Sequence, residues 1–156
     1  MIRLIRNVIF FCLLLYFYNS LNASNQNFNK EQLIGFALTL EGSPYKYAGR
    51  SPAGFDCSGF VHYVFAQNGI HVPHISASLF NVGMEVSEDN LESGDLIFFE
   101  SLGEPKKIDH VGIVVSTKPV AFIHASTSRG IVIDTLKNIR PYMGEFKGFR
   151  RIIPKK

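Results

Sequence analysis

At 156 residues the chain has room for one domain built on a single core. Hydrophobic residues make up 46% of it and charged residues 19%, a globular balance that excludes a disordered chain. The formal net charge is +3, and without Arg3 and Arg6 the balance is 14 basic against 13 acidic side chains, which argues against a nucleic-acid partner.

Residues 1–23 have the pattern of an export signal. Arg3 and Arg6 form a cationic start, Val8 to Tyr18 an apolar run, and Leu21-Asn22-Ala23 a small-residue cleavage site after Ala23. An uncleaved anchor is the alternative, but the run is shorter than the roughly 20 residues that span a bilayer. The small residues of a lipoprotein processing site do not precede Cys12. A cleaved, exported chain without stable membrane insertion is the expectation, and Cys57 is then its only cysteine. A lone thiol outside the cytoplasm has no intramolecular disulfide partner, so it is either buried or kept for its reactivity.

Residues 24–29 are polar and Asn-rich and read as a linker, with the domain running over residues 30–153. Leu33, Ile34, Ala37, Leu38 and Leu40 recur at helical spacing behind Asn29 as N-cap, which predicts a first helix from Lys30. Gly42 to Gly54 carries enough glycine and proline to force an irregular loop. Asp56 then caps a second helix from Cys57 to about Asn68, stopped by Gly69. Cys57, Phe60, Val61, Val64 and Phe65 share one stripe of that helix, so the thiol lies at the edge of the buried face. After a polar stretch, five strands are expected: Asp95 to Glu100, His110 to Ser116, Ala121 to Ala125, Gly130 to Leu136 and Phe146 to Ile153. Helices followed by a run of strands imply an α+β domain with an antiparallel sheet. The basic residues Arg150, Arg151, Lys155 and Lys156 read as a solvated tail.

Cys57 opens its helix, where unpaired N–H groups and the helix dipole favour a thiolate and can also hold an oxyanion. The plain alternative is a small core residue. A nucleophilic cysteine needs an imidazole, and the chain offers His62, His71, His74, His110 and His124. His110 and His124 stand on consecutive strands of an expected hairpin. If the numbers of cross-strand partners sum to 234, or to a nearby even number, both imidazoles share one face; a slip of one residue separates them. On one face, His110 can take the thiol proton while His124 orients it. Each could otherwise be a half-buried polar strand residue. His71 and His74 form His-x-x-His, but Pro73 lies between them, and two ligands alone do not make a metal site. No metal or cofactor is expected.

The motifs together resemble the NlpC family of bacterial papain-like cell-wall cysteine peptidases. Gly42-Ser-Pro-Tyr45 with Phe55-Asp-Cys-Ser-Gly-Phe60 is similar to the family's nucleophile motif, Gly94 to Phe99 to its central strand, and His110 to Ile113 to its histidine motif. Ile123 to Ser126 and Gly148 to Arg151 add two further segments. The resemblance implies a papain-like fold with the cysteine helix packed on a sheet that carries the histidines. It implies Cys57 as nucleophile, His110 as base and His124 as third polar residue, with Tyr45, Asp56 and Ser58 gripping a free N-terminal L-alanine and Ser76 also at the substrate. The implied reaction is hydrolysis between D-glutamate, through its side-chain carboxyl, and the diamino acid of a peptidoglycan stem peptide. A monomeric periplasmic or extracellular enzyme at the cell wall is expected. The chain departs from the family pattern at His74, where an arginine is usual, and a neutral imidazole cannot replace a permanently charged fork. The other readings are a non-catalytic wall-binding protein and a papain-like amidase or acyltransferase on another substrate. Without a role at the substrate, Tyr45, Asp56 and Ser58 would be a packed aromatic, a plain cap and a solvated helix residue.

Overall fold

The computed structural model describes residues 29–139 and 144–152. The expected export signal, residues 24–28 of the expected linker, and Lys155 and Lys156 lie outside that range. Asn29 caps α1 (Lys30–Leu38) by accepting a hydrogen bond from the Gln32 N–H at 3.0 Å, and the helix buries Leu33 and Ala37. Among the described residues no helix is long and apolar enough to cross a membrane.

The glycine- and proline-rich stretch folds into a small hairpin, β1 (Arg50–Ser51) and β2 (Gly54–Phe55), that was not expected from the sequence. Two-residue strands carry no alternation to read. The hairpin seats α2 (Cys57–Gln67): the Asp56 N–H donates to the Gly49 carbonyl at 3.0 Å, and a Cβ on Gly59 would lie 2.0 Å from the same carbonyl oxygen. Only glycine therefore lets the first turn of α2 lie on the hairpin. Asp56 caps the helix by accepting from the Gly59 N–H at 2.6 Å, and Gly69, at φ 75°, turns the chain away at its end. Phe60, Val61, Val64 and Phe65 are fully buried, as the helical stripe implies.

The polar stretch that follows contains α3 (Ser76–Phe80), β3 (Met84–Val86) and a 3₁₀ turn at Glu88–Asn90. Then come β4 (Leu96–Ser101), β5 (Glu104–Thr117), β6 (Val120–Ser126), β7 (Gly130–Thr135), α4 (Leu136–Ile139) and β8 (Phe146–Arg151). The five expected strands are present within an antiparallel sheet of order β3-β8-β4-β5-β6-β7. β5 begins six residues before His110, because it continues the β4 hairpin across register shifts on both sides of Glu100. Leu136 opens a helical turn instead of closing β7.

Alternation along the strands splits the core between the two faces of the sheet. Leu96, Phe98, Val111, Ile113 and Ile123 pack with α1 and α2, whereas Ile97, Phe99, Val114 and Phe122 pack with Phe149 and with Leu136 and Ile139 of α4. This arrangement is the α+β domain with an antiparallel sheet that the element order implied, and the papain-like fold that the resemblance implied.

Arg150 and Arg151 are not a solvated tail. Arg151 grips the buried Asp95 through two contacts of 2.8 Å and donates to the Asn90 carbonyl and Glu92, while Arg150 stacks over the Phe80 ring at 4.1 Å. Their place in β8 commits them to the fold. Replacing Asp95 with Ala leaves the arginine fork facing a void and is expected to cost about 3 kcal/mol or more of unfolding free energy, measured by urea denaturation. Gly112 faces its neighbour strand so closely that a Cβ would lie 2.7 Å from Phe122 Cδ2 and 3.2 Å from His124 Cβ. Gly112→Ala is expected to destabilise by about 1–3 kcal/mol in the same measurement.

Candidate active site

The β5–β6 ladder pairs Ile113 with Ile123 and Val114 with Phe122, so partner numbers sum to 236 beside the histidines. The sum is even, and both imidazoles fall on one face, set diagonally. His110 Nε2 meets His124 Nδ1 at 2.9 Å with the rings near perpendicular at 83°. A bulge between Val114 and Ser116 changes the sum to 237 toward the turn, beyond the histidines. Phe99 packs against His110 and Phe122 against His124, which fixes the ring pair from the core side.

Cys57 reaches the same cleft from the first residue of α2. Its Sγ lies 3.5 Å from Ser76 Oγ and 3.5 Å from the Asp109 carbonyl, the residue before His110. Cys57, His110 and His124 all line an open cleft of about 810 Å³, together with Tyr45, Asp109 and the Ser126–Arg129 turn. Burial pushes the Cys57 thiol up, and the neighbouring Asp56 charge adds to this, against hydrogen bonds from Ser76 and from the Val111 and Ser58 backbone that pull it down. The net direction opposes the thiolate expected from the helix N-terminus, because desolvation and the Asp56 charge outweigh the hydrogen bonds that favour the anion. Burial and the nearby His124 push His110 well below the usual imidazole value. Both shifts favour an uncharged thiol and an uncharged imidazole over a thiolate–imidazolium pair.

One participant was missed in the sequence. Asp134, on β7, accepts from His124 Nε2 at 2.9 Å, and Arg129 forms an ion pair with the same carboxylate. Partial burial raises the Asp134 carboxyl, but hydrogen bonds from Arg129 and His124 outweigh it and hold the group below the usual carboxylate value. The available signal was a charged residue inside Ile131-Val132-Ile133-Asp134. Val132 pairs with His124, so Asp134 stands on the same face one diagonal step away.

The remaining candidates surround the thiol. The loop after α1 is pinned by hydrogen bonds from Lys46 N to the Phe55 carbonyl and from Phe55 N to the Pro44 carbonyl, which carries Tyr45 to the cleft. Burial raises the Tyr45 hydroxyl, with Cys57 and Asp56 contributing, so the three groups are neighbours. Ser58 is buried and not solvated; its hydroxyl donates to the His74 carbonyl at 2.9 Å and lies 3.2 Å from Asp56. Ser76 touches the sulfur itself. His62 is apart from this group, with Nδ1 on the Val72 carbonyl at 2.7 Å and its ring against His74. Among the described residues no cluster of three or more His, Cys, Asp or Glu side chains is placed to hold a metal.

A thiol, two linked imidazoles and an open cleft are the parts of acyl transfer through a thioester. Comparison with known proteins agrees with that chemistry. The chain is 39% identical over 130 residues to a probable endopeptidase of Haemophilus influenzae, covering 78% of each. It is 33% identical over 124 residues to a gamma-D-glutamyl-L-lysine dipeptidyl-peptidase of Bacillus cereus, covering 80% of this chain and 37% of the relative. It also spans only 30% of a gamma-DL-glutamyl hydrolase of Bacillus subtilis. Among solved structures, an NlpC/P60 family protein from Bacillus cereus superposes with a TM-score of 0.73 at 34% identity, covering 81% of this chain and 41% of that one. The peptidoglycan hydrolase RipB from Mycobacterium tuberculosis superposes at 0.64 with 28% identity, covering 81% of this chain and 65% of that one. The NlpC/P60 profile itself matches residues 42–147, a span holding the cysteine helix, both histidine strands and Asp134, and the chain belongs to the NlpC/P60 family.

Proposed function

We propose that this chain is a cysteine endopeptidase of peptidoglycan stem peptides, cutting between the D-glutamate side-chain carboxyl and the diamino acid. The observation that carries the reading is the cleft in which Cys57 and the 2.9 Å His110–His124 pair face the same space. His110 Nε2 is engaged by His124, which leaves Nδ1 to take the thiol proton as Sγ attacks the scissile carbonyl carbon. The N–H groups in the first turn of α2 that the Asp56 cap does not use then receive the oxyanion. The proton passes to the leaving amine, and water, deprotonated by the same imidazole, releases the acyl group from sulfur. His124 acts as the orienting third residue.

In this reading Tyr45 and Asp56 hold a substrate ammonium group beside the nucleophile, and Ser58, whose hydroxyl bonds to the His74 carbonyl and lies beside Asp56, supports Asp56. Ser76 acts at the sulfur, holding the thiol and the Asp109 carbonyl in one frame. One relative is named a gamma-D-glutamyl-L-lysine dipeptidyl-peptidase and another a peptidoglycan hydrolase, which supports the substrate class. Residues 1–23 act as an export signal cleaved after Ala23, residues 24–29 as a linker and residues 30–153 as the catalytic domain of a monomer working at the cell wall.

Muropeptides of known stem composition, incubated with the protein and analysed by mass, should yield products cut after D-glutamate. Cys57→Ala should lower the rate by on the order of 10⁴-fold or more while leaving the fold intact. Products cut elsewhere, or equal activity in the variant, would overturn the reading. A second measurement follows from the raised thiol: its thiolate fraction grows only as pH climbs past the range of an ordinary cysteine. Iodoacetamide alkylation of Cys57 should therefore rise with a midpoint above that of an unstructured cysteine peptide measured alongside. A plateau persisting into acid would mean a resting thiolate–imidazolium pair instead.

A further inference from the structure

Among the described residues every nitrogen of the two-histidine pair except one has a partner, and the order of those partners sets where the protons sit. A carboxylate only accepts, so at the 2.9 Å contact with Asp134 the His124 Nε2 carries the proton. In neutral His124 the other nitrogen, Nδ1, is then a lone pair, and it can only accept from His110 Nε2. His110 is in turn left with its lone pair on Nδ1. Arg129 keeps the far end of this chain fixed: it donates to both carboxylate oxygens of Asp134, one contact measuring 3.3 Å, and holds the group ionised.

We propose that Asp134, clamped by Arg129, is a positioning residue that acts through His124 to set the tautomer of His110, leaving His110 Nδ1 as the acceptor for the thiol proton. The proposal rests on the peptidase reading for its consequence in catalysis, but the tautomer itself can be read without substrate. Among the described residues no other carboxylate bonds to either imidazole. Glu100, also on the cleft, is bonded to Lys147 and to the Lys106 N–H, and Asp109 contributes only its backbone carbonyl to Cys57 and Ser76.

The arrangement gives a directional expectation for Asp134→Ala. With the carboxylate gone, the Arg129 guanidinium is the remaining charged neighbour of His124 Nε2, and a donor favours a lone pair there. His124 would then carry its proton on Nδ1 and donate to His110 Nε2, and His110 would carry its proton on Nδ1. Both tautomers reverse, and the acceptor at the thiol becomes a donor. Asp134→Asn keeps an oxygen that can accept from His124 Nε2, so it should retain the original tautomers without the negative charge.

Long-range proton–nitrogen NMR spectra of the imidazoles decide this, recorded near neutral pH on the full protein and both variants, with backbone spectra reporting the fold. Nε2–H forms of both His110 and His124 are expected in the wild type and in Asp134→Asn, and Nδ1–H forms in Asp134→Ala. On muropeptides, kcat should fall by about 10-fold or more in Asp134→Ala with KM little changed, and Asp134→Asn should recover part of it. An unchanged His110 tautomer or an unchanged kcat in Asp134→Ala would overturn the proposal. A wild type that cleaves nothing counts against the peptidase reading alone, since the spectra still decide the tautomer.

Discussion

The register between β5 and β6 is the constraint on which the rest of the site depends. Side chains alternate along a strand, so a shift of one position would send one imidazole through the sheet to the α2 side and leave the other behind. Two features hold the register. Isoleucines 113 and 123 pair across the ladder and are fully buried on the helix-facing side, so a slip would turn one of them out of that core. Gly112, bare of a side chain, allows β6 to approach until His124 Cβ would be 3.2 Å from any Cβ placed there. The glycine of the His-Val-Gly motif thus has a packing reason that is separate from chemistry. It removes bulk between two rings that must touch.

Electrostatically the site is governed first by burial. The N-terminus of α2 does what the sequence suggested in geometry, delivering the sulfur at the first helical position with Asp56 as cap. It does not leave the thiol more acidic, because the sulfur is partly desolvated and a carboxylate stands next to it. Burial disfavours charge on both partners, raising the thiol and lowering the imidazole, and so favours the neutral pair. Charge separation in such a site is deferred until a substrate carbonyl is present to receive the electron pair. A thiol held uncharged is also less open to oxidation than a standing thiolate.

What could be read from the sequence was whatever rests on local periodicity or on a strong cap. Asn29 and Asp56 announce their helices, the apolar stripe of α2 is intact, and the strands from β4 to β8 lie where alternation and turn residues put them. The pairing of His110 with His124 was accessible as a condition on parity, though not as a distance. Three things were not legible. The β1–β2 hairpin and β3 are too short to show a period, and their existence depends on what packs over them. Asp134 needed a second register, that of β6 with β7, to be connected to His124. Arg150 and Arg151 read as solvated because nothing local shows that Asp95, more than fifty residues earlier, is buried opposite them.

The sheet order has a consequence for how the molecule is made. β8 is the last of the six strands in sequence, yet it lies between β3 and β4 rather than at a rim. Until it arrives, β4 has an open edge, β3 has no neighbour, and the Asp95 carboxylate waits for Arg151. Contacts of such sequence separation are slow to form and carry little reward until the loop is closed. A ribosome must therefore release nearly all of the domain before the core can seal. The nascent chain remains threadable for most of its synthesis, and the cleft acquires its finished frame only at the end.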